Sequence, residues 1–395
     1  MPTDLIAAAT VELTRNLIGI DSVNPSLVPG GAGEARIAEY LADRLDAAGF
    51  AVRTISSPSE PSRVSVIAVR VGARPGRTVV LNGHLDTVGV EGMPDAFTAR
   101  VTQDRLYGRG ASDMKGGVAG IVVAAERLAA ADVPGAIVVA LVADEEDASL
   151  GAEAVLQDLT GRDVAMDVCL IAEPTWLDLA AAHRGFAVVE VSLRGKAAHS
   201  SQPAEGVDTI GPLGELLVGI AAADRAIGRR REHPLLGHGS MMATVVRAGS
   251  APFTVASRAE VVVERRTLPG ESAASVLDEV REIVGPIAAR IPGLEASVRP
   301  STARAAWQVD GSGTAAEFCG LLAAALETAG SHEPKTVGAP YWMESALWQA
   351  AGVPTVVCGP AGGGLHAVDE WVDLEQLQRF PVAVEAAVRR FLNTP

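Results

Sequence analysis

The chain of 395 residues is too long for one ordinary hydrophobic core, so we expect two domains or one large domain with an insertion. Apolar residues make up 48% and charged residues 21%, which is typical of a soluble globular protein. The formal net charge of −15 argues against nucleic acid as a main partner, because phosphate binding needs a basic face. No apolar run is long enough to span a bilayer, so we expect no membrane partner.

The first part of the chain alternates helical and strand patterns. Helices are predicted at 5–18, 34–48, 115–130 and 150–159, and strands at 63–71, 78–81, 136–142 and 168–171. This alternation favours a mainly parallel sheet that is covered on both faces. The same pattern resumes late in the chain, with helices at 313–328 and 374–391 around a short buried strand at 355–358.

The pattern between residues 184 and 298 is different. Its predicted elements are a strand, a helix, two strands, a helix and a strand, at 186–193, 208–223, 241–247, 259–265, 272–288 and 295–299. This order is typical of a ferredoxin-like unit, which can fold on its own. We therefore predict an α/β protein with a three-layer, mainly parallel catalytic domain at 1–183 and 299–395, and an inserted ferredoxin-like α+β domain at 184–298.

The cysteines and the N-terminus predict a cytoplasmic location. Cys169, Cys319 and Cys358 lie far apart in apolar segments, as expected for buried thiols in a reducing compartment. Residues 1–20 mix charged and apolar side chains and lack a basic start followed by an uninterrupted apolar core. No signal peptide is therefore predicted.

Two loops in the first part of the chain carry candidate metal ligands. His84 and Asp86 follow the strand at 78–81, where an imidazole can bind a metal and a nearby carboxylate can support it. Asp113 lies in a glycine-rich loop before the helix at 115–130, where we expect it to be the N-cap. Each has an ordinary alternative, a histidine at a strand end and a capping aspartate. The glycine spacing does not fit a nucleotide-binding loop.

Three further loops carry carboxylates or a histidine. Residues 144–147 are four consecutive acidic side chains directly after a buried strand, although an exposed acidic loop is the simpler alternative. The adjacent Glu145 and Glu146 offer two roles, since one can bind a metal while the other accepts a proton from metal-bound water. Glu173 also follows a buried strand, and His366 follows three glycines.

Ligands of open α/β sheets bind at the carboxyl ends of strands, so these loops are expected to meet. Together they offer two histidines and three carboxylates without a thiolate, a set that suits two Zn²⁺ or related divalent ions. One carboxylate can bridge two ions about 3.5–4 Å apart. The five candidate ligands are His84, Asp113, Glu146, Glu173 and His366.

As a set, these motifs resemble the dizinc deacylases and peptidases that include acetylornithine deacetylase, succinyl-diaminopimelate desuccinylase, aminoacylase and carboxypeptidase G. The resemblance covers nearly the whole chain, including the insertion. The segments that carry it are Gly-His-Leu-Asp-Thr at 83–87, the glycine-rich loop at 108–117, Asp-Glu-Glu at 144–146, Ala-Glu-Pro-Thr at 172–175 and the late glycine-rich loop with its histidine at 366.

The resemblance implies two metal sites. His84 and Glu173 would bind one zinc ion, Glu146 and His366 would bind the other, and Asp113 would bridge the two. Co²⁺ or Mn²⁺ would be alternatives to zinc.

The resemblance also implies a mechanism. Asp86 would support the first histidine, and Glu145 would act as general base and then as general acid while a water bridging the two zinc ions attacks the amide. The peptide after Asp113 would be cis.

In the inserted domain the resemblance implies substrate contacts by His199, which would stabilise the oxyanion, and by Arg266, which would bind the substrate carboxylate. A surface arginine at a strand end is the alternative for Arg266. Thr254 takes the place of a usual asparagine, and residues 257–258 are Ser-Arg in place of Pro-Asp. Met-Glu-Ser at 343–345 replaces a usual Thr-Asp-Ala. We also expect Gly363, in the late glycine-rich loop, to contact substrate.

We therefore predict a metal-dependent deacylase that hydrolyses the amide bond of an N-acyl amino acid. A dipeptidase or carboxypeptidase of the same family is the nearest alternative, and a non-catalytic metal-binding homologue is a more distant one. A serine hydrolase is excluded because the sequence contains no Gly-x-Ser-x-Gly motif. The resemblance implies a homodimer, formed through an inserted domain that would serve as lid and dimerisation domain.

Overall fold

The computed structural model describes residues 3–131, 133–230 and 232–394, with side chains described from residue 5 onward. Its helices are α1 (Thr3–Ile18), α2 (Ala35–Ala47), α3 (Gly116–Ala129), α4 (Leu150–Gly161), α5 (Ile210–Ile227), α6 (Ala273–Ala289), α7 (Gly313–Thr328), α8 (Ser345–Ala350) and α9 (Leu374–Asn393). No helix within these residues is both long enough and apolar enough to cross a membrane.

The strands of the first half are β1 (Ala51–Ser56), β2 (Val64–Val71), β3 (Thr78–His84), β4 (Arg100–Thr102), β5 (Arg105–Tyr107), β6 (Ala136–Val142), β7 (Val168–Ile171), β8 (Leu179–His183) and β9 (Gly185–Arg194). Those of the second half are β10 (Ser240–Ala248), β11 (Arg258–Thr267), β12 (Glu295–Arg304), β13 (Trp307–Gln308), β14 (Thr336–Ala339), β15 (Thr355–Val357), β16 (Gly362–Gly363) and β17 (Trp371–Asp373).

The described chain separates into two compact units. Unit 1 takes the residues up to Ala181, Val309–Val337 and the residues from Met343 onward, and unit 2 takes Ala182–Gln308 and Gly338–Trp342. The predicted domain boundaries at residues 183 and 299 stay predictions, as does the assignment of one domain to catalysis and the other to dimerisation.

Unit 1 contains most of the large sheet, in the order β1-β2-β6-β3-β7-β15-β8. The central strands β6, β3, β7 and β15 are parallel, while β1, β2 and β8 run antiparallel to their neighbours. A buried strand needs apolar side chains on both faces, which explains the continuous Val, Ile, Leu and Ala runs of β6 and β7. The mixed α/β fold with a mainly parallel central sheet is thus confirmed.

Helices cover both faces of this sheet. Side chains from α1, α2, α3, α7 and α9 form one core with alternate strand residues such as Val66, Leu81 and Val139. The intervening residues Ile67, Val80 and Val138 are also buried, and α4 and α8 contact the strands. Because successive strand residues point to opposite faces, α4 and α8 belong to the third layer.

Unit 2 is built on an antiparallel sheet of order β10-β11-β9-β12, with α5 and α6 on one face. The chain order β9-α5-β10-β11-α6-β12 and this spatial order are those of a ferredoxin-like unit. The inward residues of β9, such as Val189 and Val191, alternate with outward residues such as Glu190.

Several sequence predictions need correction. Asp113 is not a helix N-cap, because α3 begins only at Gly116 and Asp113 lies in an irregular turn, Ala111–Lys115, with non-helical backbone. Cys169 and Cys358 are buried as expected, but Cys319 is only partly buried. The short strands β4, β5, β16 and β17, which form a separate small sheet of order β16-β17-β5-β4, were not predicted.

Candidate metal centre

Three neighbouring parallel strands of unit 1 bring acidic and histidine side chains together where the strands end, at their carboxyl termini. His84 is the last residue of β3, Glu145 and Glu146 follow β6, and Glu173 lies two residues beyond β7. These strands are adjacent in the order β6-β3-β7, so their carboxyl ends meet. The large sheet therefore places these predicted site residues together.

Asp113 lies between the two histidines. Its Oδ1 is 3.0 Å from His84 Nε2, and its Oδ2 is 3.3 Å from His366 Nε2. His84 Nε2 also lies 3.9 Å from Glu173 Oε1, and His366 Nε2 lies 3.2 Å from Glu146 Oε2. Each oxygen of Asp113 thus faces one histidine, and each histidine also lies near one further carboxylate. The peptide bond between Asp113 and Met114 is cis, as the resemblance implies.

Glu370 fixes the backbone around Asp113. Its Oε1 accepts hydrogen bonds from the N–H groups of Ser112 and Asp113 at 2.9 and 3.0 Å. Its Oε2 accepts from the N–H of Gly110 at 2.9 Å and from Arg109 Nη1 at 2.8 Å. A buried carboxylate with four donors is well satisfied, so the turn that presents Asp113 is rigidly supported.

Asp86 holds the loop that carries the two adjacent glutamates. Its Oδ1 accepts the N–H of Glu145 at 3.0 Å, and its Oδ2 accepts the N–H of Glu146 at 3.2 Å. The partner of His84 Nδ1 is the main-chain oxygen of Asp86 at 3.0 Å, while the nearer carboxylate oxygen is 3.7 Å away. Asp86 therefore orients the imidazole through its backbone and the glutamate loop through its side chain.

A buried polar network lies behind this loop. Asn24 Nδ2 donates to Asp86 Oδ2 at 2.8 Å and to Asp144 Oδ1 at 3.1 Å. Arg63 pairs with Asp144 and, at 3.3 Å, with Glu34. All five side chains are fully buried, so the charges of Asp86, Asp144 and Glu34 are offset within the network by Arg63 and by the Asn24 amide.

Burial and crowded charge perturb protonation in the cluster. Burial raises the pKa of Glu173 to about 8, and burial together with the charge of Glu173 raises the pKa of Glu145 well above its ordinary value. Burial opposes ionisation of Asp113 as well, but hydrogen bonds from the two histidines hold its pKa below the ordinary value. Hydrogen bonds, first to Asp113, raise the pKa of His366 to about 10. The cluster concentrates negative charge that a bound cation would offset.

The donor set suits divalent cations. In each of two groups, His84–Glu145–Glu173 and His84–Asp113–Glu146, the ligand atoms lie within 4.8 Å of one another. Glu146 Oε1 is buried and has no hydrogen-bond partner among the described residues. Such an oxygen is costly to bury unless an ion or water compensates it. Nitrogen and oxygen donors without a thiolate suit Zn²⁺ and related ions.

The other predicted substrate contacts lie on different elements. Gly363 lies in β16 of the small sheet. In unit 2, His199 is exposed, its Nδ1 lies 2.7 Å from Ser201 Oγ, and its backbone pairs with that of Thr254. Arg266 Nε donates to Glu264 Oε1 at 2.5 Å, so this guanidinium has an acidic neighbour in the folded chain.

Sequence reasoning missed several residues of the site. Glu370 lies four residues after His366 and was given no role, and Asn24 had no signal because its partners lie more than 60 residues away in the chain. Glu344 was noted only as part of the 343–345 segment and was given no role, yet it is 1% exposed, and burial raises its pKa well above the ordinary value. The neighbouring Ser345 Oγ is buried without a hydrogen-bond partner among the described residues.

Comparison with known proteins places this arrangement in a family. The model of Peptidase family M20/M25/M40 matches residues 80–390, most of the chain. The chain therefore belongs to this family, whose members depend on metal ions, and it is an enzyme that acts on amide or peptide bonds.

Individual relatives cover nearly the whole chain. The acetylornithine deacetylase of Proteus mirabilis is 27% identical over 373 residues, 92% of each chain. The succinyl-diaminopimelate desuccinylase of Dinoroseobacter shibae is 29% identical over 394 residues, 96% of this chain and 98% of the relative. The crystal structure of aminopeptidase PepT from Bacillus cereus has the same fold, with a TM-score of 0.79, 18% identity and 98% of both chains covered.

Proposed function

We propose that the enzyme is a dizinc deacylase that hydrolyses the amide bond of an N-acyl amino acid. The observation that carries this proposal is the placement of Asp113, whose two oxygens face two histidines at 3.0 and 3.3 Å. A carboxylate in that position can bridge two ions. The curated relatives named above, a deacetylase and a desuccinylase, support an acyl group as the part removed.

We assign the metal ligands as two sets that share one residue. His84 and Glu173 hold one ion, Glu146 and His366 hold the other, and Asp113 belongs to both. Zinc is the proposed metal, with Co²⁺ and Mn²⁺ as alternatives. When bound, such a pair acidifies water and polarises the amide carbonyl.

Glu145 is the proposed general base and acid. It lies three residues after β6 and next to Glu146, and its backbone N–H donates to Asp86 Oδ1 at 3.0 Å. Burial and the charge of Glu173 raise the pKa of its carboxyl group, which makes the carboxylate a stronger base. Glu145 takes a proton from the attacking water and delivers it to the leaving nitrogen. The products are a carboxylate and an amine.

Substrate recognition is proposed for four residues: His199, Arg266, Thr254 and Gly363. Arg266 offers a guanidinium fork for the substrate carboxylate, and His199 offers a donor for the oxyanion. The substitutions at Thr254, at 257–258 and at 343–345 are expected to alter which acyl group or amine is accepted.

A hydrolysis screen tests the proposal. The purified protein, supplied with zinc, is assayed against N-acetyl and N-succinyl amino acids and against dipeptides with matched side chains. Faster turnover of the N-acyl amino acids is expected. A clear preference for dipeptides would replace the deacylase with a dipeptidase or carboxypeptidase. Hydrolysis of neither class, with metal bound, would contradict both.

We further propose a homodimer formed through unit 2. The support is β10, which lies at one edge of the sheet and exposes Met242, Val245 and Val246. Edge strands with apolar side chains are ready to pair with another chain. One chain has a mass of 40.6 kDa, and light scattering coupled to gel filtration should give twice that mass. Val246→Lys should shift the protein to the monomer, and a wild-type monomer would contradict the proposal.

A further inference from the structure

A pair of tryptophans in unit 1, one exposed and one partly buried, lies within five residues of proposed metal ligands in the sequence. Trp176 is 45% exposed although it follows Glu173 by only three residues. Its ring packs edge to face against Trp371, with ring centroids 6.0 Å apart. The mechanism proposed above gives neither tryptophan a role.

The backbone holds Trp176 away from the core in a conformation that residues other than glycine rarely adopt. Trp176 and Leu177 both have positive φ, 59° and 61°. Leu177 is fully buried, and its N–H donates to the oxygen of Gly359 at 3.0 Å, as does the N–H of Thr175 at 3.3 Å. Two such residues in sequence persist only where their surroundings fix them, and strain of this kind clusters at functional sites.

Trp371 connects this loop to the glycine-rich loop. Gly363 pairs with Trp371 across β16 and β17, and a Cβ atom at Gly363 would lie 2.8 Å from Trp371 Nε1. The guanidinium of Arg105 lies 4.0 Å from the centre of the Trp371 ring. Trp371 is therefore held between neighbours and supports Trp176, which keeps an accessible ring surface.

Chain length limits the distance of this pair from the proposed ligands. Three residues span at most about 11 Å, so the Cα atom of Trp176 lies within about 11 Å of that of Glu173. The same limit applies between Gly363, which contacts Trp371, and His366. A side group of a substrate bound at the ligands can reach an indole ring at this distance.

We propose that Trp176, supported by Trp371, determines specificity by binding an aromatic group of the substrate. The inference rests on the proposed hydrolysis of N-acyl amino acids or dipeptides. Aromatic rings pack favourably against an exposed indole through buried area and ring electrostatics. A methyl group in the same place gains little of either. The aromatic group can belong to the acyl side or to the amino-acid side of the scissile bond.

Two matched substrate pairs test the inference in the full-length protein supplied with zinc. N-benzoyl-alanine against N-acetyl-alanine probes the acyl side, and N-acetyl-phenylalanine against N-acetyl-alanine probes the amino-acid side. The wild type should prefer the aromatic member of one pair. Trp176→Ala should lower that ratio of kcat/KM about five- to tenfold, mainly through KM, and Trp176→Phe should restore most of it. The control Val71→Ala, at the opposite sheet edge, should leave the ratio unchanged.

Two results would overturn the inference. One is a wild type that prefers the aromatic member of neither pair, and the other is a ratio that stays unchanged in Trp176→Ala, including when that variant loses activity equally on every substrate. Failure of the wild type to hydrolyse any member of the panel would overturn the proposed function instead. In that case, titrations with N-benzoyl-alanine and with N-acetyl-phenylalanine, while tryptophan fluorescence is recorded, still test the aromatic site. A change in fluorescence that Trp176→Ala removes supports it, and no change in the wild type overturns it.

Discussion

The carboxylate of Glu370 accepts a hydrogen bond from the backbone N–H of Asp113 at 3.0 Å, across 257 residues of sequence. The segment after the late glycine-rich loop therefore fixes the turn that presents Asp113 to both histidines. The same carboxylate pairs with Arg109, which is only 2% exposed. A change at Glu370 should consequently act on the metal centre without removing any proposed ligand.

Glu370→Gln should weaken metal binding about 10- to 100-fold, the usual effect of losing a residue that orients ligands. The amide keeps one acceptor, but its NH₂ group faces N–H donors and the buried Arg109 loses its counter-charge. Competition with a chromogenic chelator measures the affinity. The control Glu375→Gln removes an exposed carboxylate on α9 and should bind metal like the wild type. Wild-type affinity in Glu370→Gln would contradict the supporting role.

Removal of the metals by a chelator should abolish hydrolysis and lower stability. The unfolded chain has no preformed site, so the ions bind only the folded protein. Zinc at 100 times its Kd should therefore raise the free energy of unfolding by about 2.7 kcal/mol. Urea titrations with and without zinc measure this change, and the assay measures recovery of activity. Activity that survives complete removal of metal would refute a metal-dependent mechanism.

The fold was largely predictable where burial dictates sequence. The bounds of β6, β7 and α7 agree with the sequence predictions, because buried strands need continuous apolar runs and long helices need regular apolar spacing. The meeting of these loops was predictable because the carboxyl ends of neighbouring parallel strands lie side by side. The structure brings His84, Glu146 and Glu173 together at those strand ends.

The rest depends on contacts that no local pattern encodes. The strands β16 and β17 have two and three residues, too few for a recognisable alternation, and their pairing spans the glycine loop. Asp113 was expected to cap α3 because Asp is a frequent N-cap, yet it lies in the irregular turn supported by Glu370. Asn24 lies in an unremarkable loop, and only the fold places it between Asp86 and Asp144.

Glu34 should give the metal-free protein a specific pH dependence. Its carboxyl group is fully buried beside Arg63, and burial raises its pKa from 4.5 to about 7. The folded state holds this proton more tightly than the unfolded chain does. Its contribution to stability is therefore fully present below pH 4.5 and is lost as the pH rises through about 7.

Glu34→Gln cannot titrate, so its free energy of unfolding should fall less than that of the wild type between about pH 4.5 and pH 7.5. The difference in the change should be about 3 kcal/mol. Urea titrations at the two pH values measure it. Glu12→Gln, an exposed position on α1, is the control and should follow the wild type. Parallel pH profiles for Glu34→Gln and the wild type would exclude this role.

Glu145→Gln should separate proton transfer from metal binding. The amide keeps the size of the side chain and leaves the backbone bond to Asp86 in place, but it cannot accept a proton from water. The expected result is a loss of about 10²- to 10⁴-fold in kcat, the usual contribution of a positioned general base. Metal content, measured by mass spectrometry of the dialysed protein, should equal that of the wild type, because Glu145 is not among the proposed ligands. Glu153→Gln, an exposed change on α4, should retain both activity and metal. Wild-type turnover in Glu145→Gln would show that another group moves the proton, whereas loss of one metal ion would reassign Glu145 as a ligand.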